Sequence, residues 1–153
     1  MSSKEPISSL ETHLGYWLRT VSNAVSQSFA RRVESEGVTV AEWVFLRMLH
    51  DCEPVSPSLL AERMGITKGA ISKLADRLSE KGLVARKANS NDTRGQTLAL
   101  QPAARSLVPR LAALADKNDA EFFGSLTGEE RHQLQLLLRK VSQDRDLKTI
   151  PTT

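Results

Sequence analysis

The sequence predicts a mainly α fold with a small two- to three-stranded β wing, and three observations carry that prediction. Apolar residues recur at helical spacing over most of the chain. Ile71, Leu74, Ala75 and Leu78, for example, stand at i, i+3, i+4 and i+7 and turn Gly69, Ser72, Lys73 and Asp76 to the other face. Residues 89–95, Asn-Ser-Asn-Asp-Thr-Arg-Gly, interrupt that pattern between Leu83-Val84 and Thr97-Leu98-Ala99-Leu100, and their turn-formers favour a reversal between two short strands. Basic charge gathers on the same stretch: residues 63–105 hold nine Lys or Arg against three acids, a net of +6 in a chain whose total is +3, so the remainder is net negative. A polar-faced helix followed at once by a basic ribbon is the outline of a winged helix, and charge concentrated on one module is the footprint of a polyanion partner.

The whole chain narrows the function classes. Its 153 residues suffice for one domain with a real core, and 40% hydrophobic with 25% charged residues are ordinary globular values. The opening MSSKEPISS lacks the basic and apolar pattern of a signal peptide, and no apolar run reaches the length of a membrane span, so a cytoplasmic protein without a membrane partner is expected. Cys52 is the single cysteine, which excludes an internal disulfide. His13, His50 and His132 show no metal-ligand spacing, and there is no phosphate-binding glycine loop or nucleophile elbow. Neither an enzyme nor a metal or cofactor is expected.

The elements follow in order. Ser8 with Glu11 has capping-box spacing, and Leu10, Leu14, Trp17, Val21, Val25, Phe29 and Val33 then step by three or four residues until Glu36-Gly37. That pattern predicts a first helix within residues 8–37, roughly 28 residues and about 40 Å long at ~1.5 Å per residue. Tyr16 and Leu18 widen its apolar surface beyond one stripe, so part of it is expected to pack on a second subunit. Thr39 and Glu42 form a second capping box, with Val38 and Trp43 as its staple, opening a helix to about Leu49 that is apolar nearly all round; Trp43 reads as core rather than as a base-stacking ring. Ser56 as N-cap and Pro57 at the first position start a short helix through Met64, with Leu59, Leu60 and Met64 facing in. Gly65 turns the chain into Thr67, which caps the next helix while Ile66 and Ile71 staple it, and Gly82 ends it. Two short helices joined by a tight Gly-containing turn, the second with a polar outer face, constitute a helix-turn-helix. From Pro102 the chain returns to helix, with Leu107, Leu111, Leu114, Ala115 and Phe122 on the buried side and Pro109 bending it. Gly124-Ser125-Leu126 breaks that helix. Thr127 and Glu130 make a third capping box, and Leu134, Leu137, Leu138 and Val141 stripe the last helix, with a frayed polar tail after about residue 144.

Three series carry a resemblance. Thr39-Val40-Ala41-Glu42-Trp43-Val44-Phe45-Leu46, Leu59-Leu60-Ala61-Glu62-Arg63-Met64-Gly65, and Ile71-Ser72-Lys73-Leu74-Ala75-Asp76-Arg77-Leu78-Ser79-Glu80-Lys81-Gly82-Leu83-Val84, followed by Asp92-Thr93-Arg94, resemble the MarR family of bacterial winged-helix regulators. Where that family usually has Thr after the second wing strand and Gly three positions later, this chain has Gln101 and Ala104. The resemblance implies a single domain over residues 1–153, with dimerisation helices at 8–37 and 102–145 around a DNA-binding winged helix-turn-helix at 38–101. It implies a homodimer that binds a pseudo-palindromic double-stranded operator, and a repressor released by a small aromatic or anionic effector.

The candidate DNA-binding residues are Thr67, Lys68, Gly69, Ser72, Lys73 and Arg77 on the recognition helix, and Arg86, Lys87, Asp92 and Arg94 on the wing. Ser72 and Lys73 suit base edges and Lys68 and Arg77 suit phosphates, while Asp76, which would repel phosphate, is expected to orient a neighbouring Arg or Lys. His13, Tyr16, Trp17, Arg47 and His50 are candidates for effector contact through aromatic or cationic groups. Two alternatives use the same scaffold: a thiol-based redox sensor switching at Cys52, or a winged helix that binds protein. The hydroperoxide-sensing branch of the family carries its reactive cysteine in the first helix, where this chain has none.

Overall fold

The computed structural model describes residues 6–88 and 95–153. Its order is α1 (Leu14–Glu34), α2 (Val40–Cys52), α3 (Pro57–Met64), α4 (Lys68–Glu80), β1 (Val84–Ala88), β2 (Gln96–Leu100), α5 (Pro102–Phe123) and α6 (Gly128–Asp144). The strands pair antiparallel from Val84 opposite Leu100 to Ala88 opposite Gln96, and Val55 adds a third, single-residue bridge to Leu98.

The first helix differs from expectation. A 3-10 turn at Leu10–Thr12 precedes it, His13 is extended, and α1 has 21 residues. The carbonyls that a longer helix would use accept other donors: Thr12 Oγ1 donates to Ser9 O at 2.7 Å and Trp17 Nε1 to Glu11 O at 2.9 Å. The Ser8–Glu11 box therefore does not open the helix.

The two other capping boxes form as read. Thr39 Oγ1 accepts from the Glu42 amide while the Glu42 carboxylate accepts from the Thr39 amide, and Thr127 and Glu130 repeat the arrangement. α2 continues beyond Leu49 to Cys52. In α3 the inward residues are Leu60, Ala61 and Met64, and Leu59 is 38% exposed. At about 100° per residue the arc holding positions 60, 61 and 64 places 59 on the opposite flank. Gly65 takes the left-handed conformation at φ 67° as C-cap of α3, and Gly82 does the same at φ 72° after α4.

One core joins these elements. Phe45, Leu46 and Leu49 from α2 meet Leu60 and Met64, Ile71 and Leu78, Leu98 and Leu100, and Leu107 and Leu111, with Trp43 packed on its edge against Phe29 at 6.4 Å between rings. α5 runs unbroken through an exposed Pro109. Phe122, expected inside, is 36% exposed, and Asn118 takes the buried place instead at 2%. Its amide explains the exchange: Ser28 Oγ donates to Asn118 Oδ1 at 2.8 Å, and Asn118 Nδ2 donates to Val25 O at 3.2 Å, so the polar group is satisfied across α1 and α5.

α6 buries none of its residues in the single chain. The segment after it is not frayed: the Leu147 amide donates to Ser142 O at 2.9 Å and the Ile150 amide to Met64 O at 3.3 Å. The tail thus crosses the turn at Gly65, where an added Cβ would lie 2.9 Å from Thr149 Cα. Pro151, Thr152 and Thr153 then face Ser22, Ser26 and Gln27 of α1 across a cleft of about 550 Å³.

Candidate nucleic-acid interface

The recognition helix α4 divides cleanly into two faces. Ile71, Leu74, Ala75 and Leu78 are buried; Lys68, Gly69, Ser72, Lys73, Asp76 and Arg77 are exposed. Thr67, also exposed, caps the helix by accepting from the Ala70 amide at 3.1 Å. The hydroxyl, ammonium and guanidinium groups and the positive end of the helix dipole therefore share one open surface, which attracts anions.

The wing joins that surface through an ion pair. Arg86 on β1 donates through Nη2 to Asp76 Oδ1 at 2.6 Å and to Ser72 O at 3.2 Å. Asp76 thus orients a neighbouring arginine, as its placement on the outer face required, and Arg86 is engaged within the protein. Lys87 is exposed on the same strand. Asp92 and Arg94 lie outside the described residues.

The base of the wing is held by a group that sequence reasoning missed. Glu53, at the C-cap of α2, accepts from the Leu100 amide at 2.5 Å and pairs with Arg105, whose second guanidinium nitrogen donates to Leu100 O at 3.2 Å. Glu42 and Lys81 tie the far end of α2 to the end of α4 in a similar way. Glu42 was legible only as half of a capping box; its partner is 39 residues away, and no local spacing signals it.

The five effector candidates fall into two groups. His13, Tyr16 and Trp17 sit at the start of α1, with Tyr16 and Trp17 edge to face at 5.1 Å and His13 Nδ1 3.3 Å from Leu10 O. Arg47 and His50 flank Asp51 on α2, at 2.7 and 3.5 Å. The Arg47 hydrogen bond, opposed by slight desolvation and aided by His50, lowers the Asp51 carboxyl below its ordinary range. None of the five lines the cleft beside α1, nor a second one of about 400 Å³ lined by Glu36, Val38, Lys81, Leu83, Leu107 and Arg110. Cys52 is half-buried, its Sγ donating to Met48 O at 3.2 Å. Among the described residues no cluster of His, Cys, Asp and Glu has the arrangement of a metal site, and no helix is long and apolar enough to cross a membrane.

The sequence profile of the MarR family matches residues 36–95, from the turn before α2 to the residue before the second wing strand. BpsR of Bordetella bronchiseptica, whose DNA binding is regulated by 6-hydroxynicotinic acid, superposes with a TM-score of 0.77 at 25% identity, over 90% of this chain and 98% of that one. Over residues 36–95 the chain is similar to the MarR family, and over nearly its whole length it shares the fold of BpsR. Apo MarR from E. coli matches with a TM-score of 0.71 at 25% identity, over 84% of this chain and 96% of its own. A cysteine-to-serine variant of E. coli MarR complexed with operator DNA matches with a TM-score of 0.75 at 26% identity, over 84% of this chain and 92% of its own. The MarR family comprises winged-helix DNA-binding transcriptional regulators, and the profile covers the helix-turn-helix and the first wing strand, ending just before β2.

Proposed function

We propose that the protein is a homodimeric, sequence-specific DNA-binding repressor released from a pseudo-palindromic operator by a small aromatic or anionic effector. The observation that carries this reading is the exposed face of α4: Thr67, Lys68, Gly69, Ser72, Lys73 and Arg77 stand together on a helix whose other face is wholly buried. Two such helices enter successive major grooves about 34 Å apart, half-site spacing mirroring the two-fold. Ser72 and Lys73, near the helix start, reach base edges, while Lys68, Arg77 and Lys87 meet phosphates. Arg94, in the segment joining the strands, enters the adjacent minor groove, where narrow A·T tracts concentrate negative potential, and Asp92 fixes its aim.

Dimerisation is supported by surface left over in the single chain. Leu14, Trp17, Leu18 and Val21 on α1 and Leu136, Leu137, Leu138 and Val141 on α6 are all exposed, more apolar surface than one soluble subunit ordinarily shows. The effector is supported by analogy with BpsR, whose DNA binding responds to 6-hydroxynicotinic acid.

Titration of the protein's own promoter region against random DNA of equal length tests the reading. The promoter fragment is expected to bind at least about a thousandfold more tightly, the low end of specific recognition. Equal affinities for the two DNAs would leave a protein-binding winged helix as the better account. Arg94→Ala is expected to weaken promoter binding about tenfold, and unchanged affinity there would remove the wing from recognition.

A further inference from the structure

We infer that Glu42 and Lys81 form a clamp that fixes the angle of the recognition helix, so that both are positioning residues for DNA binding and neither touches DNA. Lys81 is the C-cap of α4. Its Nζ donates to Gly37 O at 2.8 Å and to Glu42 Oε1 at 3.0 Å, and lies 2.8 Å from Oε2. Glu42, 1% exposed, also accepts from the Thr39 amide at 3.2 Å, closing the capping box of α2. One ion pair therefore joins three places: the turn after α1, the first turn of α2, and the last turn of the helix that faces DNA.

The two partners differ in exposure: the Glu42 side chain is 1% exposed and that of Lys81 39%. Oε2 of Glu42 is buried with no hydrogen bond of good geometry among the described residues, so its charge relies on the ammonium beside it. Burial pushes the Glu42 carboxyl up, but the hydrogen bonds from Lys81 and Thr39 and the Lys81 charge outweigh it and hold the group below the ordinary carboxylate range. Glu42 is thus a carboxylate at neutral pH.

The mechanical role follows from how α4 is otherwise held. Ile71, Leu74, Ala75 and Leu78 form an apolar face and Arg86 holds Ser72 O and Asp76 from the wing, which leaves rolling of the last turn, beyond Leu78, to be resisted from elsewhere. An ion pair with defined donors at one end resists it strongly. A small roll would swing Ser72 and Lys73 away from the bases they read, and displacements near 1 Å are costly where geometry must match. Two of the three ammonium donors of Lys81 are directed at Gly37 and Glu42, and the salt dependence of binding tests whether the third meets a phosphate.

The inference rests on the DNA-binding reading, and its test separates the two. The decisive variant in the full chain is E42Q/K81M, in which the amide keeps an acceptor for the Thr39 cap and Met replaces the lysine stem. Lys81→Arg is the conservative control. Three quantities are measured: melting temperature, amide hydrogen exchange across residues 78–83, and affinity for the promoter fragment as a function of salt. The double variant is expected to melt close to wild type, to exchange about tenfold faster across that turn, and to bind about tenfold more weakly with an unchanged salt slope. Lys81→Arg is expected to retain wild-type protection and affinity together. Should the double variant not fold, Lys81→Met alone, which removes the donors to both Gly37 and Glu42, gives the same comparison. Unchanged protection overturns the clamp, as does promoter affinity within twofold of wild type. A shallower salt slope overturns it as well, because that is the signature of a lost phosphate contact. If the wild type itself does not bind the promoter, the proposed function fails and exchange alone decides whether the clamp exists.

Discussion

The middle of the chain and its two ends solve the same problem in opposite ways. Among the described residues every buried apolar side chain lies between Val33 and Leu111, while the exposed large apolar residues lie outside that span, Leu59 excepted. The middle segment holds its own core from five helices and a ribbon. The first half of α1 and most of α6 carry helical stripes of the same residue types that the described residues leave exposed. Amphipathic periodicity tells which face of a helix must be buried, but not whether the covering surface belongs to the same molecule.

The largest effect that sharpens this contrast comes from the core. Phe45→Ala removes a fully buried ring at the centre of the module and is expected to cost about 3 to 5 kcal/mol, read from denaturant unfolding. A loss under about 1 kcal/mol would mean that the module is less self-sufficient than its burial implies. Leu138→Glu makes the opposite test. It is expected to leave the module folded and to raise the dimer dissociation constant about a hundredfold, because a carboxylate in an apolar interface must be desolvated. Sedimentation at low micromolar concentration distinguishes the outcomes, and a dimer as tight as wild type would move the interface off α6.

Lys73→Ala is smaller and local. A base-reading lysine is expected to lose about 1 to 3 kcal/mol on the promoter fragment and little on random DNA, whereas equal losses on both would assign it to the phosphate backbone. The smallest effect concerns acid. Glu42 has a lowered carboxyl pKa in the fold, so its stabilising contribution is fully present above the ordinary value of 4.5 and fades as pH falls through the lowered one. Glu42→Gln is therefore expected to flatten the acid limb of the stability profile, measured by thermal melting from pH 6 downward. A wild-type limb in that variant would show that other carboxylates govern the transition.

Much of the fold was legible because its signals are short-range. Thr67, the Ile71–Leu78 stripe and Gly82 lie within one helix, and caps and periodicity name its start, face and end without any tertiary knowledge. The outer face of the candidate site was legible for the same reason. What failed depended on distant partners or on competing local donors. Trp17 takes the Glu11 carbonyl and shortens α1. Asn118 carries no local signal in the sequence and is buried where Ser28 and Val25 satisfy it from 90 and 93 residues away. Arg86 reads as a free cation until the ribbon folds back and sets it on Asp76.

The Asn118 contacts also limit how the two long helices can move. Its amide is matched to one hydroxyl and one main-chain carbonyl of α1, and a slide of α1 by one turn, about 5.4 Å, would strand both ends of that amide in an apolar seam. Rocking about the same point keeps both bonds. The two bonds thus oppose a slide of α1 along α5 more than a tilt about their contact.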